Sequence, residues 1–166
     1  GRGKKSIMLD YRDQSDQEVA RALMAEADIV ITGERGKDLR AWGLDSQSIT
    51  GLNPRLVYAR ITSFGETGPL ADVKTDNALA LAKMGINQSF APAKDRPGPS
   101  WSSIPWASWS GAQVVLQGIF AALRERESCG AGQSLAVSLG QAVGGRSGAR
   151  RARQRTLVSE RIADRA

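Results

Sequence analysis

Residues 6–31 read SIMLDYRDQSDQEVARALMAEADIVI, and they establish the fold class that the sequence predicts. Ser6–Asp10 is largely apolar and predicts a short strand. Ser15 and Glu18 form a capping box that predicts a helix start, and apolar residues at i, i+4 and i+8 then give this helix one apolar stripe. The β-branched run Ile29–Ile31 is typical of a buried parallel strand. Strand, helix and strand in succession form a βαβ unit, which predicts an α/β fold.

The same alternation continues along the chain. Short helices are predicted around Asp38–Trp42, ending at Gly43, and near Ser46–Leu52, and a third strand over Leu56–Ile61. Later predictions are a helix over Asp76–Ile86, irregular structure over the proline-rich residues 87–108, a helix over Gly111–Arg126 and a closing strand over Leu135–Leu139.

Length and composition restrict the class of protein. The chain has 166 residues, 41% hydrophobic and 24% charged, which fits one globular domain and excludes wholesale disorder. There is no signal-peptide pattern and no apolar run of the ~18 residues that span a bilayer, so we expect a cytoplasmic protein. The chain begins without Met, as if cut from something longer. The single Cys129 excludes an internal disulfide, and the absence of His removes Ser-His and Cys-His nucleophiles and the usual zinc sites.

The net charge of +6 is concentrated at one end of the sequence. Residues 146–166 hold seven arginines against Glu160 and Asp164, which accounts for +5 of that charge. An off-register or read-through extension explains this composition, and a basic arm for nucleic acid or an anionic surface is the alternative. The tail has no base-reading motif and no interleaved aromatic residues, which argues against nucleic acid as a partner.

Three other features have one functional and one structural interpretation each. The basic turn Gly1–Lys5 is either a phosphate contact or an exposed turn. The loop Ser63–Pro69 follows the third strand, where open α/β sheets bind ligands, or it is an ordinary β-to-α turn. The tryptophans 101, 106 and 109 either line an apolar pocket or pack a long loop onto the core. Cys129 has no activating neighbour and is interpreted as a bystander.

A set of segments, taken in order, carries a resemblance to a known family. The segments are Arg2–Asp10, Ala27–Val30, Leu52–Tyr58, Ser63–Pro69, Gly118–Leu123, Arg126, Gly130–Gln133 and Val137–Leu139. Together they resemble the family III CoA-transferases, the group that includes formyl-CoA transferase, carnitine CoA-transferase and α-methylacyl-CoA racemase. The resemblance runs from the first residue to about Val143, and the family's subunits are about twice this long or more.

This resemblance implies a partial Rossmann-like CoA-binding domain over residues 1–143. The Arg-rich tail, residues 144–166, lies beyond the resemblance and is expected to be disordered or weakly helical. The resemblance also implies coenzyme A or acyl-CoA as the substrate, with no metal, and a subunit that interlocks with its twin. In the family an Asp carboxylate attacks the thioester, giving a mixed anhydride and releasing the CoA thiolate. The positions that match the family's CoA site are Lys4, Trp42, Phe64 and Gly65.

The sequence departs from the family at the nucleophile. Aligning on a nearby glycine puts Ala107 at that position, and aligning on a nearby proline puts Ser108 there; neither is a carboxylate. The racemase branch needs a His that would fall near Asp76 or Asn77, and this chain has none. The segment Gly33–Lys37 also differs from the Asn-Phe-x-Pro-Gly sequence that the family usually has there.

We therefore expect a fragment or degenerate half of a CoA-transferase. The intact enzyme would move CoA between carboxylic acids, whereas this chain would retain CoA binding only. One alternative is an active transferase that uses another carboxylate, such as Asp76; another is a nucleic-acid-binding protein that acts through its tail. Expected partners are acyl-CoA and either a second copy or a complementary half, and no membrane. Apolar faces left uncovered predict marginal stability or self-association.

Overall fold

A computed structural model describes residues 2–89 and 98–144. Within these ranges three strands alternate with helices. In chain order the elements are α1 (Gln14–Glu26), β1 (Ile29–Thr32), α2 (Gly36–Trp42), α3 (Ser46–Thr50), β2 (Val57–Thr62), α4 (Asn77–Lys83), α5 (Ile86–Ser89), α6 (Trp106–Cys129) and β3 (Ser134–Ser138). Residues 139–144 are helical up to the last described residue.

The three strands form one sheet in the order β1-β2-β3. β1 and β2 are parallel, with Ile29 opposite Val57. The backbone N–H of Tyr58 donates to the Gln133 carbonyl at 2.9 Å, and the Thr62 hydroxyl donates to the Val137 carbonyl at 3.3 Å. Residue numbers rise together in these pairs, so β3 also runs parallel to β2. The predicted α/β class is confirmed.

The chain divides into two compact units. Among the described residues, unit 1 comprises residues 2–60 with Gln117–Leu135, and unit 2 comprises residues 61–89, 98–116 and 136–144. Unit 1 has a core that brings together residues of β2, of the segment just before it, and of the short helices α2 and α3. The buried members of this core are Ala20, Val30, Leu39, Leu44, Ile49, Leu56 and Tyr58.

Unit 2 has its own smaller core. It contains the buried residues Ala80 and Leu81 from α4, Ala107 from α6 and Val143, with Leu139 packed beside them. Small residues allow this close packing: a Cβ added at Gly111 would lie 2.6 Å from the Leu139 side chain.

Two predictions for the first 31 residues are wrong. Ser6–Asp10 forms no strand: no ladder partner pairs with it among the described residues, and Met8 is 95% exposed. The residue that caps α1 is Asp13 rather than Ser15, since the Asp13 carboxylate accepts the Ser15 N–H at 2.9 Å. The strand Ile29–Ile31 is confirmed, but only Val30 is buried; Ile29 and Ile31 point to the opposite face of the sheet and are exposed.

The helix predictions hold with changed limits. Gly43 ends α2 in the left-handed conformation, with a φ of 64°, as its position after Trp42 predicts. The helix predicted over Asp76–Ile86 is divided into α4 and α5, because Gly85 has a φ of 71°. The last long helix begins at Trp106, inside the segment predicted to be irregular. The tail from residue 145 onward lies outside the described residues, so its disorder and its role stay predictions.

A search of residues 2–89 and 98–144 for membrane spans finds no helix with the length and apolar character that crossing a bilayer requires.

Candidate functional site

The loop that follows β2 is built around its last residue, Thr62. The Thr62 hydroxyl accepts the N–H of Gly65 at 3.1 Å while donating to the β3 backbone. This bond turns the chain sharply, and the φ of +114° at Gly65 is one that only glycine adopts without strain. Gly68 has a similar φ of +89°. The glycines predicted to permit a tight turn therefore do so.

The end of β3 meets the same loop. The Ser63 carbonyl accepts the N–H of Gly140 at 3.0 Å and the hydroxyl of Ser138 at 3.4 Å. Phe64 is half-buried beside Gly140, where an added Cβ would lie 3.3 Å from its ring. Phe64 and Gly65 thus follow the carboxyl end of β2 and lie beside the carboxyl end of β3. Open α/β folds bind ligands at this edge of the sheet.

The other two predicted CoA-site residues belong to unit 1. Lys4 is exposed in the segment before α1. Trp42 ends α2 and is half-buried, with its ring stacked on that of Tyr11 at a centroid distance of 4.8 Å. Its backbone carbonyl accepts a hydrogen bond from Arg21 at 3.2 Å. The structure therefore groups Lys4 and Trp42 within one unit, and Phe64 and Gly65 within the other.

The segment Gly33–Lys37 begins α2, where the family usually has Asn-Phe-x-Pro-Gly. The Arg35 side chain forms an ion pair with Asp38 at 2.6 Å. Gly36 is buried, and a Cβ there would lie 2.7 Å from the guanidinium of Arg60. These residues thus have structural partners of their own.

The predicted nucleophile position lies in the first turn of α6. Ala107 is fully buried, and Ser108 is exposed. Their backbone N–H groups both donate to the side-chain Oδ1 of Asn77, at 2.8 Å for Ala107 and 3.1 Å for Ser108. The structure therefore joins two segments 30 residues apart, which the sequence analysis had considered separately.

Asp76, the substitute carboxylate of the alternative hypothesis, is the N-cap of α4. Its Oδ1 accepts the N–H of Leu79 at 2.8 Å, and its side chain is exposed. It directly precedes Asn77, which contacts residues 107 and 108. The sequence analysis gave Asn77 no role of its own. The adjacent Asp76 and Asn77 could have indicated such a role, because two such side chains at a helix start offer two acceptors for backbone N–H groups.

The tryptophan cluster does not pack as a loop onto the core. Trp101 and Trp109 are 64% and 63% exposed. Trp106 donates its indole N–H to the Ser102 hydroxyl at 3.1 Å. A cavity of about 270 Å³ is lined by Trp106, Trp109, Ser110, Gln113, Val114 and Ala142. At about 100° per helical residue, Ser108 points about 160° away from Trp106, so this cavity lies on a different face of α6 from Ser108.

The titratable groups with shifted pKa values belong to unit 1. Burial first, and then the charge of Asp45, raises the pKa of Tyr58 to about 12. Partial burial opposes ionisation of Asp45, but hydrogen bonds from Ser48 and Gln47 outweigh it and lower the pKa of Asp45. Hydrogen bonds from Arg12 lower the pKa of Asp10 to about 2.

Two further observations concern reactive and metal-binding groups. Cys129 is exposed, and its thiol lies 3.5 Å from the Ala131 carbonyl. In the described part of the chain no cluster of three or more His, Cys, Asp or Glu side chains could hold a metal ion.

Two curated proteins and one solved structure are similar to most of this chain. The chain is 31% identical over 142 residues to the succinyl-CoA–D-citramalate CoA-transferase of Chloroflexus aurantiacus, covering 86% of this chain and 35% of that protein. It is 30% identical over 138 residues to the acetyl-CoA:oxalate CoA-transferase of Acetobacter aceti, covering 83% and 35%. A crystal structure of a CAIB/BAIF family protein from Brucella suis superposes with a TM-score of 0.78 at 31% identity, covering 86% and 37%.

The chain thus spans about a third of the length of the curated relatives it matches. Residues 1–153 match the family described as CoA-transferase family III, and the chain therefore belongs to that family.

Proposed function

We propose that this chain binds CoA or acyl-CoA but does not form an acyl-enzyme at the position where its family carries the nucleophile. Its partners would be acyl-CoA and either a second copy or a complementary half, of which only the complementary half could supply the carboxylate. The observation that carries the proposal is the first turn of α6, where Ala107 is buried without a reactive group and Ser108 offers only a hydroxyl.

The chemistry of the side chains supports this assignment. In the family reaction, a carboxylate oxygen forms a bond to the thioester carbon while the carbon–sulfur bond breaks and CoA leaves as the thiolate. A serine hydroxyl is protonated at neutral pH and needs a neighbouring base to attack. The side chain that contacts the backbone of Ser108 is the amide of Asn77, which is not a base, and the chain contains no His.

The CoA-binding part of the proposal is supported by the loop at the carboxyl ends of β2 and β3. Gly65 leaves open space around its Cα, with no atom within 4 Å of an added Cβ, so a ligand can approach the backbone closely. Phe64 beside it offers an apolar surface. Trp42 and Lys4, which belong to unit 1, are the other two positions that resemble the family's CoA site.

Thermal unfolding with and without millimolar CoA tests the binding proposal. A ligand at 100 times its dissociation constant that binds only the folded state adds about 2.7 kcal/mol, or about 5 to 10 °C for a domain of this size. A cooperative transition that CoA does not move would overturn the proposal.

Gly65→Ala and Gly68→Ala form a matched pair for locating the site. Both residues have positive φ and open surroundings, so both substitutions impose similar backbone strain. Only Gly65 occupies a position that matches the family's CoA site. We expect the CoA-induced shift to fall in Gly65→Ala and to persist in Gly68→Ala; equal shifts in both variants would place CoA elsewhere.

Trapping with succinyl-CoA, the donor that the name of the Chloroflexus relative specifies, tests the absence of an acyl-enzyme. After hydroxylamine treatment, intact mass spectrometry should show an unmodified chain. The second candidate function, transfer through Asp76, is favoured by the exposed carboxylate beside Asn77. A hydroxamate on the Asp76 peptide that disappears in Asp76→Asn would establish this candidate and overturn the first.

A further inference from the structure

The first turn of α6 depends on a side chain from another helix. The N–H groups at the start of a helix have no acceptor within it. At α6 the N–H groups of Ala107 and Ser108 both donate to one atom, the Oδ1 of Asn77, at 2.8 and 3.1 Å. All three residues belong to unit 2.

The remaining donors of this turn are bonded to backbone. Trp106 donates its N–H to the Ile104 carbonyl, and Trp109 donates to the Pro105 carbonyl, both at 2.9 Å. Each N–H from residue 106 to residue 109 therefore has an acceptor. Asn77 is the side chain that completes the set.

Asn77 is itself held in place. It is the first residue of α4, and the Asp76 carboxylate caps that helix through the N–H of Leu79. The Asn77 residue is half-buried, and Ala107, which it bonds, is fully buried. The amide oxygen is thus delivered to the start of α6 by a fixed backbone.

The consequence concerns charge at position 108. The start of a 24-residue helix carries partial positive charge and stabilises a nearby anion. An amide oxygen consumes the two donors without contributing a full negative charge. We infer that Asn77 is a positioning residue whose Oδ1 occupies these two N–H groups, so that they are not available to an anionic group at position 108. We call this occupation the closure of the start of α6. The significance of position 108 rests on the proposed function, but the closure does not.

An introduced thiol reports on this closure without any CoA. We would use the full chain with Cys129→Ser and Ser108→Cys, then titrate the thiol by its absorbance and its alkylation rate. A thiolate at a helix start is stabilised by free backbone donors, which lowers its pKa. Removing the acceptor with Asn77→Ala should lower the pKa of the introduced thiol by about 0.3 to 0.7 unit. Asn77→Asp keeps both hydrogen bonds, adds a negative charge and should raise that pKa.

Asn53→Ala is the matched control. Asn53 also bridges two segments, donating to the Ala27 carbonyl and accepting from the Arg55 N–H, but it belongs to unit 1. It should leave the titration unchanged. An unchanged thiol in Asn77→Ala, or an equal change in Asn53→Ala, would overturn the inference. If Asn77→Ala fails to fold by circular dichroism, Asn77→Asp decides: an unaltered thiol there would also overturn it.

The experiment separates this inference from the proposed function. Failure of CoA to stabilise the parent chain would leave the titration result intact. An unresponsive thiol would leave CoA binding intact.

Discussion

The phenol hydroxyl of Tyr58, on β2, donates a hydrogen bond to the backbone carbonyl of Leu44 at 2.8 Å. Both residues are about 1% exposed. The bond connects the central strand of the sheet to the turn between α2 and α3, inside the core of unit 1. A buried carbonyl that loses its donor costs about 1 to 3 kcal/mol, so we expect Tyr58→Phe to lower the free energy of unfolding by that amount. Urea denaturation measures this difference, and an unchanged midpoint would contradict it.

The same tyrosine makes stability depend on alkaline pH. Burial raises the pKa of Tyr58 from 10.0 to about 12. The folded state therefore holds the phenol proton more tightly than the unfolded state does. Its contribution is complete below pH 10 and is lost as the pH rises from about 10 to about 12. To isolate the phenol, the measurement is the difference in unfolding free energy between the parent and Tyr58→Phe, which should shrink over this window and stay constant below it.

Gly132 is a position in unit 1 where the backbone of another segment leaves no room for a side chain. Its N–H donates to the Pro54 carbonyl at 2.8 Å, and an added Cβ would overlap the Leu56 backbone carbonyl. Since the obstruction is backbone, relief requires moving the strand, and we expect Gly132→Ala to cost about 3 kcal/mol or more.

Gly51→Ala is the control for that substitution. Gly51 has a φ of −63°, and an added Cβ would meet ordinary contacts at 3.5 Å. At such a site alanine changes stability by less than about 1 kcal/mol, often upward. Thermal unfolding of the two variants should therefore diverge by many degrees; similar melting temperatures would contradict the close approach at Gly132.

The Arg126 side chain makes two contacts that could stabilise unit 1, an ion pair and a hydrogen bond to a backbone carbonyl. Its guanidinium lies 3.2 Å from the Asp28 carboxylate, and it donates to the Arg55 carbonyl at 3.1 Å. The Arg126 side chain is 15% exposed, whereas that of Asp28 is 83% exposed. Solvent therefore screens the charge pair, whereas the hydrogen bond to the uncharged Arg55 carbonyl is less sensitive to that screening. We expect Arg126→Ala to cost about 1 to 3 kcal/mol and Asp28→Asn less than about 0.5 kcal/mol.

Denaturation at low and high salt would check the Arg126 assignment. If the carbonyl contact dominates, the cost of Arg126→Ala should change little with ionic strength. A cost that disappears in high salt, or an equal loss in Asp28→Asn, would show that the exposed charge pair carries the stabilisation instead.

Local patterns predicted the helices and the strands of the sheet because their causes are local. Gly43 after Trp42 is a helix end by its own conformation, and the β-branched run Ile29–Ile31 is a strand by its own shape. Ser6–Asp10 has a strand composition but no ladder partner among the described residues, and partnership is not written in the segment itself. The Asp13 cap was missed because Asp13 and Ser15 are both competent, and only geometry distinguishes them.

For the candidate site, residue type and order predicted the glycine turn at Gly65, whereas the missing carboxylate rests on the resemblance to the family and stays a prediction. The sequence could not place Asn77, because the bonds to Ala107 and Ser108 join segments 30 residues apart. Contacts across that distance depend on packing rather than on any local pattern.

The final prediction distinguishes the two candidate nucleophile positions by stability. Ala107 is fully buried in the core of unit 2, where an ionised carboxylate would lose its hydration. We expect Ala107→Asp to cost several kcal/mol, on the order of 3 or more, or to force the acid to stay protonated. Ser108 is exposed in the first turn of α6, where an acidic side chain stabilises a helix by at most about 0.3 to 1 kcal/mol, a gain that the hydrogen bonds to Asn77 reduce. Ser108→Asp should therefore be neutral or stabilising at pH 7.

The pH dependence of the two variants sharpens this comparison. An aspartate stabilised by the helix start has a lower pKa folded than unfolded, so its benefit in Ser108→Asp should be present above about pH 4 and fade below it. A buried aspartate has the opposite shift, so Ala107→Asp should gain stability as the pH falls from its raised folded pKa to about 4, with little further gain below that. If Ala107→Asp instead melts like the parent at neutral pH, the buried position accepts a carboxylate, and the alignment on the nearby glycine gains physical support over the alignment on the proline.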